Sequence, residues 1–477
     1  MTPYPIVVDL DGTLIHTDML HESALKVFRE APLDLLRIPF WLSVGKARLK
    51  LELARRGQFN PEALPFNLEL LAWLREQKQA GRELVLCTAT HKSIADAIGE
   101  HLGIFDSVMA TDDSTNLSGG SKAKALEERF GHKGFDYAGN HAVDMDVWRS
   151  ARRAIVVNGA PGLAERAAGV TQVERQFPRR PIGWQAWLRV LRVHQWLKNL
   201  LLFVPILAAH QFADAGVMGK LGLAFVAFCL CASAVYVAND LLDLESDRMH
   251  PRKRLRPFAS GDVPAWMGVT LAPVLLASSV ALGLLVGGSF VYWLLFYFAL
   301  TCAYSWGLKR VMLLDCITLA LVYTLRIVAG AAAANNELSF WLLAFSVFLF
   351  LSLAFVKRYA ELEVQLLSGN ERVHGRGYYT SDAQLIQTFG IASGYASVMV
   401  LALYLNSDNV VTLYKTPEAV WGVVPIMLFW ISWMWMQAHR GQMHDDPVVF
   451  AVKDKASLVA GFLFAVVLGV GTLGLPW

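Results

Sequence analysis

Long apolar runs dominate the second half of the chain and constrain its fold more than any other feature. A helix needs about 20 residues to cross a hydrocarbon core of about 30 Å. We find about nine runs that approach this length, at residues 199–212, 219–238, 266–286, 290–306, 312–333, 340–356, 385–405, 419–436 and 457–473. Buried helices of a soluble protein could explain one or two of them, but not nine in succession. The second half is therefore predicted to be an all-α polytopic membrane domain, whose first helix begins within the amphipathic stretch 184–197.

The first 176 residues have a different pattern. Short apolar strands, at residues 6–10, 83–87, 107–110, 137–138 and 154–157, alternate with charged helical stretches, and this alternation is typical of a parallel α/β sheet. Two aspartates follow the first strand where a signal peptide would need a continuous apolar run, so no signal peptide is expected. A charged fraction of 17% and a length of 477 residues exclude a disordered or nucleic-acid-binding tail and suit two or three domains.

Basic residues in the short loops predict the orientation in the membrane. The loops after the second, fourth and sixth runs, and the segment before the first run, are rich in lysine and arginine, whereas residues 334–339 and 406–418 contain little positive charge. Because positive loops stay on the cytoplasmic side, we expect these loops and the N-terminal domain to be cytoplasmic, in a multi-pass protein of the inner membrane. The basic residues include Arg179, Arg180, Arg189, Arg192, Arg248, Arg310 and Arg372.

Two carboxylates, Asp9 and Asp11, follow the first strand at its carboxyl end, where α/β folds place ligands. Such a pair can hold Mg²⁺, with one carboxylate attacking phosphorus and the other handling the leaving-group proton. A lone acidic turn capped by Gly12 is the simpler explanation. Three further features at matching positions favour the catalytic one: Thr88 after the second strand, Lys122 at the start of a later helix, and residues 139–144 after another strand.

These motifs resemble those of haloacid-dehalogenase-type phosphatases, over residues 1–168 and with a helical cap at about residues 14–65. The resemblance implies a Rossmann-like domain at residues 1–176 in which Asp9 is the nucleophile and Asp11 the general acid and base. It also implies that Thr88 binds the phosphoryl group, that Lys122 stabilises its charge (with Lys124 as the alternative), and that Asp144 binds Mg²⁺. Asn140 departs from the pattern, because the family usually has aspartate there; an amide can still reach a metal but contributes no charge.

An acid-rich segment lies at the cytoplasmic end of the second apolar run. If the helix continues, Asp240, Asp243 and Asp247 fall at i, i+3 and i+7 on one face, with Asn239 nearby. Carboxylates stacked in this way suit Mg²⁺ that bridges to a diphosphate, although a helix end emerging into water is the simpler alternative. The acid-rich segment therefore predicts both metal binding and catalysis.

Basic and polar side chains near the predicted helix ends are candidates for binding phosphate groups. Six basic residues lie within residues 248–256, and a second basic stretch follows the sixth run. Arg326 lies inside an apolar run, so we expect it to face a cavity or a partner such as Asp315. Tyr304 and Lys309 could instead mark the membrane interface. The predicted binding residues are Lys198, Asn199, Asn239, Arg252, Lys253, Arg254, Tyr304, Lys309, Arg326, Lys357, Arg358, Tyr359, Glu361 and Arg376.

The membrane half resembles UbiA-type intramembrane transferases, and among them the decaprenyl-phosphate phosphoribosyltransferases. The similarity lies in residues 194–199, 239–247, 250–261, 357–362 and 376–379. It implies a transferase domain at residues 199–477, joined by an amphipathic basic linker at 177–198. It further implies Mg²⁺ as cofactor and phosphoribosyl diphosphate (PRPP) and a polyprenyl phosphate as substrates. The chain could also form a homo-oligomer, and no nucleic-acid partner is expected.

The cations of the second basic stretch favour one chemistry within this superfamily. Aromatic prenyltransferases usually have a second aspartate-rich motif, whereas here Lys357 and Arg358 stand with only Glu361 and Glu363 as acids. Two anionic substrates would need such cations, so we expect transfer of 5-phosphoribose, after which the phosphatase removes the 5-phosphate. The alternatives are an aromatic prenyltransferase with a regulatory or inactive phosphatase-like domain, and a protein that binds or transports lipid phosphates.

Overall fold

The computed structural model describes residues 3–57, 59–112, 116–179, 181–211, 213–369, 371, 376–407, 413–443 and 446–474. Arg180 and Arg372, which belong to the predicted basic segments, lie outside the described residues, as do His374 and Gly375 just before Arg376. The Cα positions divide into two compact units. The first comprises Met1–Leu191 and Tyr236–Ala272, and the second comprises Arg192–Val235 and Pro273–Trp477.

A six-stranded parallel sheet forms the centre of the first unit, as the alternation of strands and helices predicts. Its strand order is β3-β2-β1-β4-β5-β6. The strands are β1 Ile6–Val8, β2 Leu84–His91, β3 Ser107–Thr111, β4 Asp136–Gly139, β5 Arg153–Val157 and β6 Gln172–Phe177. Ile6 and Val8 pack in one apolar cluster and Val7 in another, because successive side chains of a strand point to opposite faces. Helices cover both faces of the sheet, so the four central strands β1, β2, β4 and β5 are mostly buried.

The helices of the first unit form these covering layers and the cap. They are α1 Met19–Glu30, α2 Ile38–Val44, α3 Lys46–Arg56, α4 Leu68–Gln79, α5 Lys92–Leu102, α6 Gly120–Phe130, α7 Met145–Ser150, α8 Leu163–Ala168 and α9 Trp184–Val190. A 3₁₀ helix, Pro32–Arg37, joins α1 to α2. The cap of α1 to α3 has its own small core of Val27, Trp41, Leu49 and Leu53. It is inserted between β1 and β2 and can therefore cover the carboxyl ends of the strands.

Most of the remaining helices are long and apolar, and a few short helices lie between them. They are α10 Val204–Ala208, α11 Ala215–Leu242, α12 Leu244–Met249, α13 Ala265–Val286, α14 Gly288–Trp306, α15 Leu314–Ala334, α16 Phe340–Leu367, α17 Ala383–Leu405, α18 Pro417–Val420, α19 Val423–His439, α20 Pro447–Lys453 and α21 Lys455–Leu473. Eight helices in the described residues are long and apolar enough to cross a membrane, and a bent pair makes nine if it counts as one span. The chain is a multi-pass membrane protein.

The first predicted span is not a straight helix. The pair Trp184–Val190 and Val193–Ala208 bends by 52°, and Arg192 between them has a left-handed φ of 50°. Much of the second part, Val193–Phe203, is 3₁₀ helix. This irregular segment packs against α15: a Cβ on Gly330 would lie 2.0 Å from the carbonyl oxygen of Leu202. The absence of a side chain at Gly330 therefore lets the backbone that bears Lys198 and Asn199 approach α15 closely.

Candidate active sites

The loop after β1 places Asp9 and Asp11 at the carboxyl edge of the sheet, as the sequence predicts. Gly12 in this loop has a φ of +72°, and a Cβ at this position would lie 2.1 Å from the side-chain nitrogen of Asn140. Glycine therefore satisfies both the backbone conformation and the close approach of the β4 loop. Asp9, Asp11, Lys122, Asn140 and Asp144 all line one cavity of about 450 Å³.

A buried chain of hydrogen bonds connects the two ends of this site. The Lys122 ammonium donates to Asp9 Oδ1 at 2.8 Å and to the Tyr137 hydroxyl at 3.0 Å, and that hydroxyl donates to Asp144 Oδ1 at 3.0 Å. Asp144 Oδ2 accepts from the backbone N–H groups of Asn140 and His141, each at 2.9 Å. Asp144 thus holds the β4 loop in shape as well as facing the cavity. Lys122, rather than Lys124, is the lysine that contacts the proposed nucleophile.

The electrostatic environment distinguishes the two aspartates. Burial raises the pKa of Asp9, although the nearby Lys122 ammonium opposes this shift. Burial, with Asp18 and Asp9 nearby, raises the pKa of Asp11 to about 7. Asp11 accepts hydrogen bonds from the backbone of Met19 at 2.8 Å and from the Thr90 hydroxyl at 2.7 Å. A carboxyl group that titrates near neutral pH suits a general acid and base.

Thr88 and Thr90 have different positions at the end of β2. Thr88 is fully buried, and its hydroxyl oxygen accepts a hydrogen bond from the Thr90 N–H at 3.0 Å. Thr90 lines the cavity, whereas Thr88 is absent from the lining residues. The structure therefore brings Thr90 to Asp11 and places Thr88 behind it. The sequence prediction did not single out Thr90, although its position two residues beyond the strand-end threonine is a usable signal.

The acid-rich segment departs from one continuous helix. Helix α11 ends at Leu242 and α12 begins at Leu244, so Asp243 lies at the junction. Asp240 and Asp247 are nonetheless brought together, because the Arg256 guanidinium contacts Asp240 at 3.1 Å and Asp247 at 2.6 Å. Asp243 lies between the two helices and acts on Asp247 through its charge, and Asn239, next to Asp240 in the chain, is half-buried. Burial raises the pKa of Asp247, although the nearby Arg256 guanidinium opposes this shift.

The predicted basic residues of the following loop are mostly exposed. Arg252, Lys253 and Arg254 lie in or beside the 3₁₀ turn Lys253–Leu255, and Lys253 is 3.9 Å from Asp247. Arg256 was counted among the basic residues but not predicted as a site residue, although it makes the closest contacts with the carboxylates. Exposure leaves the other three cations accessible to an anionic ligand.

In the second unit, Asp446 joins two of the predicted cations. Lys198 Nζ lies 2.7 Å and Lys357 Nζ 3.5 Å from Asp446 Oδ2, and the Tyr323 hydroxyl donates to both carboxylate oxygens. Burial alone would raise the pKa of Asp446, but Lys198 and Lys357 hold it below its ordinary value. The sequence prediction missed Asp446. Its only local signal is a helix-capping carboxylate before Pro447, which does not reveal contacts with Lys198 far away in the chain.

Arg326 has polar partners inside the apolar run, as expected, but Asp315 is not among them. Its guanidinium donates to Asn199 Oδ1 at 2.8 Å, to the Tyr297 hydroxyl at 3.0 Å and to the Val322 carbonyl at 2.6 Å. Arg326 and Asp315 both belong to α15, where 11 residues correspond to about 16 Å along the axis. They share a helix face but are too far apart to touch. Arg326 instead fixes Asn199, another predicted binding residue.

Asp315 belongs to a second ionic cluster. Arg358 pairs with Asp315 and with Glu361, and Arg376 Nε lies 3.2 Å from Glu361. Arg376 also donates to the Tyr304 hydroxyl at 3.2 Å. Lys357, Arg358 and Glu361 were expected in a loop, but α16 continues to Leu367 and holds them on its last turns. Four predicted binding residues (Tyr304, Arg358, Glu361 and Arg376) therefore come together here.

The remaining predicted binding residues of the second unit are Tyr359 and Lys309. Tyr359 is buried, and its hydroxyl lies 2.9 Å from His439 Nδ1 while its ring packs near Trp435. Lys309 is half-buried in the 3₁₀ turn Leu308–Arg310. The contacts of Tyr359 indicate packing between α16 and α19 rather than a position beside the cations.

Nowhere in the described part of the chain do three or more His, Cys, Asp or Glu side chains come together as a complete metal site. Mg²⁺ usually takes only one or two carboxylates and completes its shell with water and substrate phosphates. In the acid-rich segment, Asp247 Oδ1 is buried without a hydrogen-bond partner, so it retains a free ligand position. The Asp9, Asp11 and Asn140 oxygens face a roomy cavity, so both sets of residues fit Mg²⁺.

Comparisons with known proteins agree with both architectures. The family model for the UbiA prenyltransferase family matches residues 201–452, and that for haloacid dehalogenase-like hydrolase matches residues 6–147. The uncharacterized protein y4nM of Sinorhizobium fredii is 40% identical over 97% of this chain and 90% of its own length. Nodulation protein NoeC of Azorhizobium caulinodans is 37% identical over 58% of this chain and 90% of its own length. Decaprenyl-phosphate phosphoribosyltransferase of Mycolicibacterium smegmatis is 32% identical over 60% of this chain and 91% of its own length.

The fold and these sites define an enzyme in which a haloacid-dehalogenase-like domain precedes a helical membrane domain. The chain belongs to the UbiA prenyltransferase family. The resemblance of both halves, the α/β sheet and the multi-span helical domain are thereby confirmed. The roles of individual site residues remain predictions.

Proposed function

We propose that the membrane domain transfers 5-phosphoribose from PRPP to a polyprenyl phosphate, and that the phosphatase domain then yields polyprenyl-phosphoryl-ribose. The observation that supports this reaction best is the cationic group formed by Lys198 and Lys357 around Asp446. The arginines of the neighbouring ionic cluster add to it. The name of the Mycolicibacterium smegmatis relative agrees with the same reaction.

In the transfer step, the bond between the anomeric carbon and the diphosphate breaks, and the diphosphate leaves with the electron pair. An oxygen of the polyprenyl phosphate then forms the new bond to that carbon. Bound Mg²⁺ would supply charge neutralisation for the leaving diphosphate. Asp240 and Asp247 are proposed to hold it, with Asp243 and Asn239 completing the acid-rich segment, while Arg252, Lys253 and Arg254 bind phosphate oxygens. Because both substrates are anions, we propose that Lys198 and Lys357 offset the charge of their phosphate groups.

In the phosphatase step, Asp9 attacks the phosphorus of the 5-phosphate and forms an aspartyl-phosphate. Asp11, with a pKa of about 7, donates a proton to the departing ribose oxygen and later accepts one from the attacking water. Lys122 contacts Asp9 and offsets the charge of the phosphoryl oxygens. The Thr90 hydroxyl orients Asp11, and the Thr88 hydroxyl supports Thr90 by accepting a hydrogen bond from the Thr90 N–H. We propose Asp9, Asp11, Asn140 and Asp144 as the residues that would surround Mg²⁺.

An aromatic prenyltransferase remains the second candidate, because the matching family is named for prenyl transfer. Such an enzyme would attach the prenyl group of a polyprenyl diphosphate to an aromatic acceptor. The ionic clusters argue against it, since a prenyl diphosphate and an aromatic acceptor bring fewer phosphate groups to neutralise than PRPP and a lipid phosphate do. We also propose a cytoplasmic N-terminal domain and an inner-membrane location, on the evidence of the positive loops, and domain boundaries near residues 176 and 199.

The reaction can be tested with purified full-length protein, PRPP labelled in the ribose, polyprenyl phosphate and Mg²⁺. We expect diphosphate release to require the polyprenyl phosphate, and label to appear in the lipid fraction. Lys357→Met should lower this transfer strongly, whereas Lys455→Met, at the exposed start of α21, should not. Prenylation of 4-hydroxybenzoate from a polyprenyl diphosphate, without transfer from PRPP, would support the second candidate instead.

A further inference from the structure

The cap of the phosphatase domain exposes a row of large apolar side chains. Leu33 is 78% exposed, Leu36 79% and Phe40 69%, and Phe28 and Val44 are also exposed. Leu33, Leu36 and Phe40 follow one another at spacings of three and four residues through consecutive helical turns, so they lie on one face. Scattered exposed apolar residues are ordinary, but a contiguous group of this size marks a surface that something covers.

This row, which we call the apolar cap face, is not needed for the core of the cap. Leu35, Ile38 and Trp41 of the same segment point inwards and pack with Val27 and Leu49. The inward side chains already anchor the segment, so folding of the cap leaves the opposite face without a role. Water-facing positions of a soluble helix normally have polar residues, and here both faces of the segment are apolar.

Two contacts within the first unit show where this face lies. Arg29, at the end of α1, donates to the carbonyl of Leu242, the last residue of the membrane-spanning helix α11, at 3.2 Å. The Arg248 guanidinium, just beyond that helix end, pairs with Glu22 of α1 at 2.7 Å. The apolar cap face begins directly after α1. It therefore starts beside the end of a membrane span, where the bilayer surface lies.

We propose that the apolar cap face inserts into the acyl and headgroup region of the bilayer. The segment 28–48 contains four basic residues and two acidic ones, and this balance suits anionic lipid headgroups. A second copy of the chain would be the other natural occupant. The contact of α1 with the end of a membrane span favours the bilayer, because it brings this face to lipid without any association between chains.

A consequence for catalysis rests on the proposed function. Leu42 and Lys46, which belong to the same exposed segment, line the cavity that contains Asp9 and Asp11. The apolar cap face is therefore continuous with the mouth of the phosphatase site. A phosphoribosyl group that remains attached to a polyprenyl chain could enter this site without leaving the membrane surface.

Spin labels test the bilayer contact without reference to any reaction. The full-length protein would be labelled at Leu36→Cys, or at Glu128→Cys as an exposed control on α6, and placed in nanodiscs of phosphatidylcholine and phosphatidylglycerol. Labelled native protein gives the background from the five natural cysteines. We expect the label at position 36 to collide with oxygen, which dissolves in acyl chains, and to be shielded from a water-soluble nickel complex. The label at position 128 should show the reverse.

Either of two results would overturn the proposal. Free access of nickel to position 36 would show that the face lies in water, and shielding from both reagents would show that protein covers it. A kinetic arm examines the consequence: the double variant Leu36→Gln with Phe40→Gln should slow dephosphorylation of the lipid-linked substrate about tenfold. It should leave hydrolysis of p-nitrophenyl phosphate unchanged. If the labels report insertion but no lipid-linked phosphate is hydrolysed by the native protein, the proposed function fails and the bilayer contact stands.

Discussion

The Tyr137 hydroxyl is the strongest single test of the phosphatase site, because it joins the two ends of the buried hydrogen-bond chain. It accepts from Lys122 and donates to Asp144, each at 3.0 Å, and Tyr137 is fully buried. Tyr137→Phe removes one oxygen and leaves both charged groups without that partner. A hydrogen bond to a charged group contributes about 1.5–3 kcal/mol. Since about 1.4 kcal/mol corresponds to a factor of ten in rate, kcat/KM should fall about 10–100-fold.

The assay is hydrolysis of p-nitrophenyl phosphate by the full-length protein, with diphosphate release from PRPP measured in parallel. Tyr4→Phe, which removes the hydroxyl of a half-exposed tyrosine in the same domain, is the matched control and should behave as the native protein. Thermal unfolding of the variant confirms that the domain is folded. Native hydrolysis rates in a folded Tyr137→Phe protein would refute the view that this hydroxyl aligns Lys122 with Asp9.

Three further predictions concern the membrane half. Asp243→Asn should lower transfer from PRPP by at least about 100-fold in a protein that stays folded in detergent, and native turnover at limiting Mg²⁺ would end that assignment. Asp446→Asn should destabilise the protein by about 3 kcal/mol, because Lys198 and Lys357 lose their buried counter-charge. The pKa of Asp446 is lowered in the folded state, so this stabilisation is fully present above the ordinary carboxyl pKa and is lost as the pH falls through the pKa that Asp446 has in the folded protein. A difference in melting temperature between native protein and variant that persists in strong acid would contradict this prediction. Gly330→Ala should destabilise the protein by about 1–3 kcal/mol, whereas Gly219→Ala, where a new Cβ meets nothing within 4 Å, should leave its stability unchanged. Equal melting temperatures of the two variants would disprove the close packing of Gly330 against Leu202.

Local sequence patterns predicted the elements of this fold well. Alternating strands placed Asp9 and Asp11 at a strand end, because the carboxyl edge of a parallel sheet follows from strand order alone. Apolar length predicted the membrane spans, because a run of about 20 apolar residues is long enough to cross the hydrocarbon core as a helix. Strand β6, Gln172–Phe177, was not predicted, because its polar and partly exposed residues lack the apolar pattern of the other strands. The bend in the first span was also missed, since apolar length does not show where a backbone breaks.

Contacts between distant residues were the part that the sequence could not show. Asp446 contacts Lys198 across most of the membrane half, and Tyr137 was visible only as a strand residue. Arg326 was expected to face a cavity or a partner such as Asp315, and only the structure revealed Asn199 and Tyr297 as its partners. Periodicity indicates the face of a side chain, but the neighbouring element decides its partner.

The most direct test of the proposed sequence of two reactions is mass spectrometry of the lipid products. Purified native protein and Asp9→Asn would each be incubated with PRPP, polyprenyl phosphate and Mg²⁺ at several concentrations. We expect the native protein to yield polyprenyl-phosphoryl-ribose, and the variant to accumulate polyprenyl-phosphoryl-ribose 5-phosphate, because the variant lacks only the phosphatase nucleophile. Identical lipid products from both proteins, even at high Mg²⁺, would contradict a working phosphatase step. The absence of any ribosylated lipid from the native protein would contradict phosphoribosyl transfer itself.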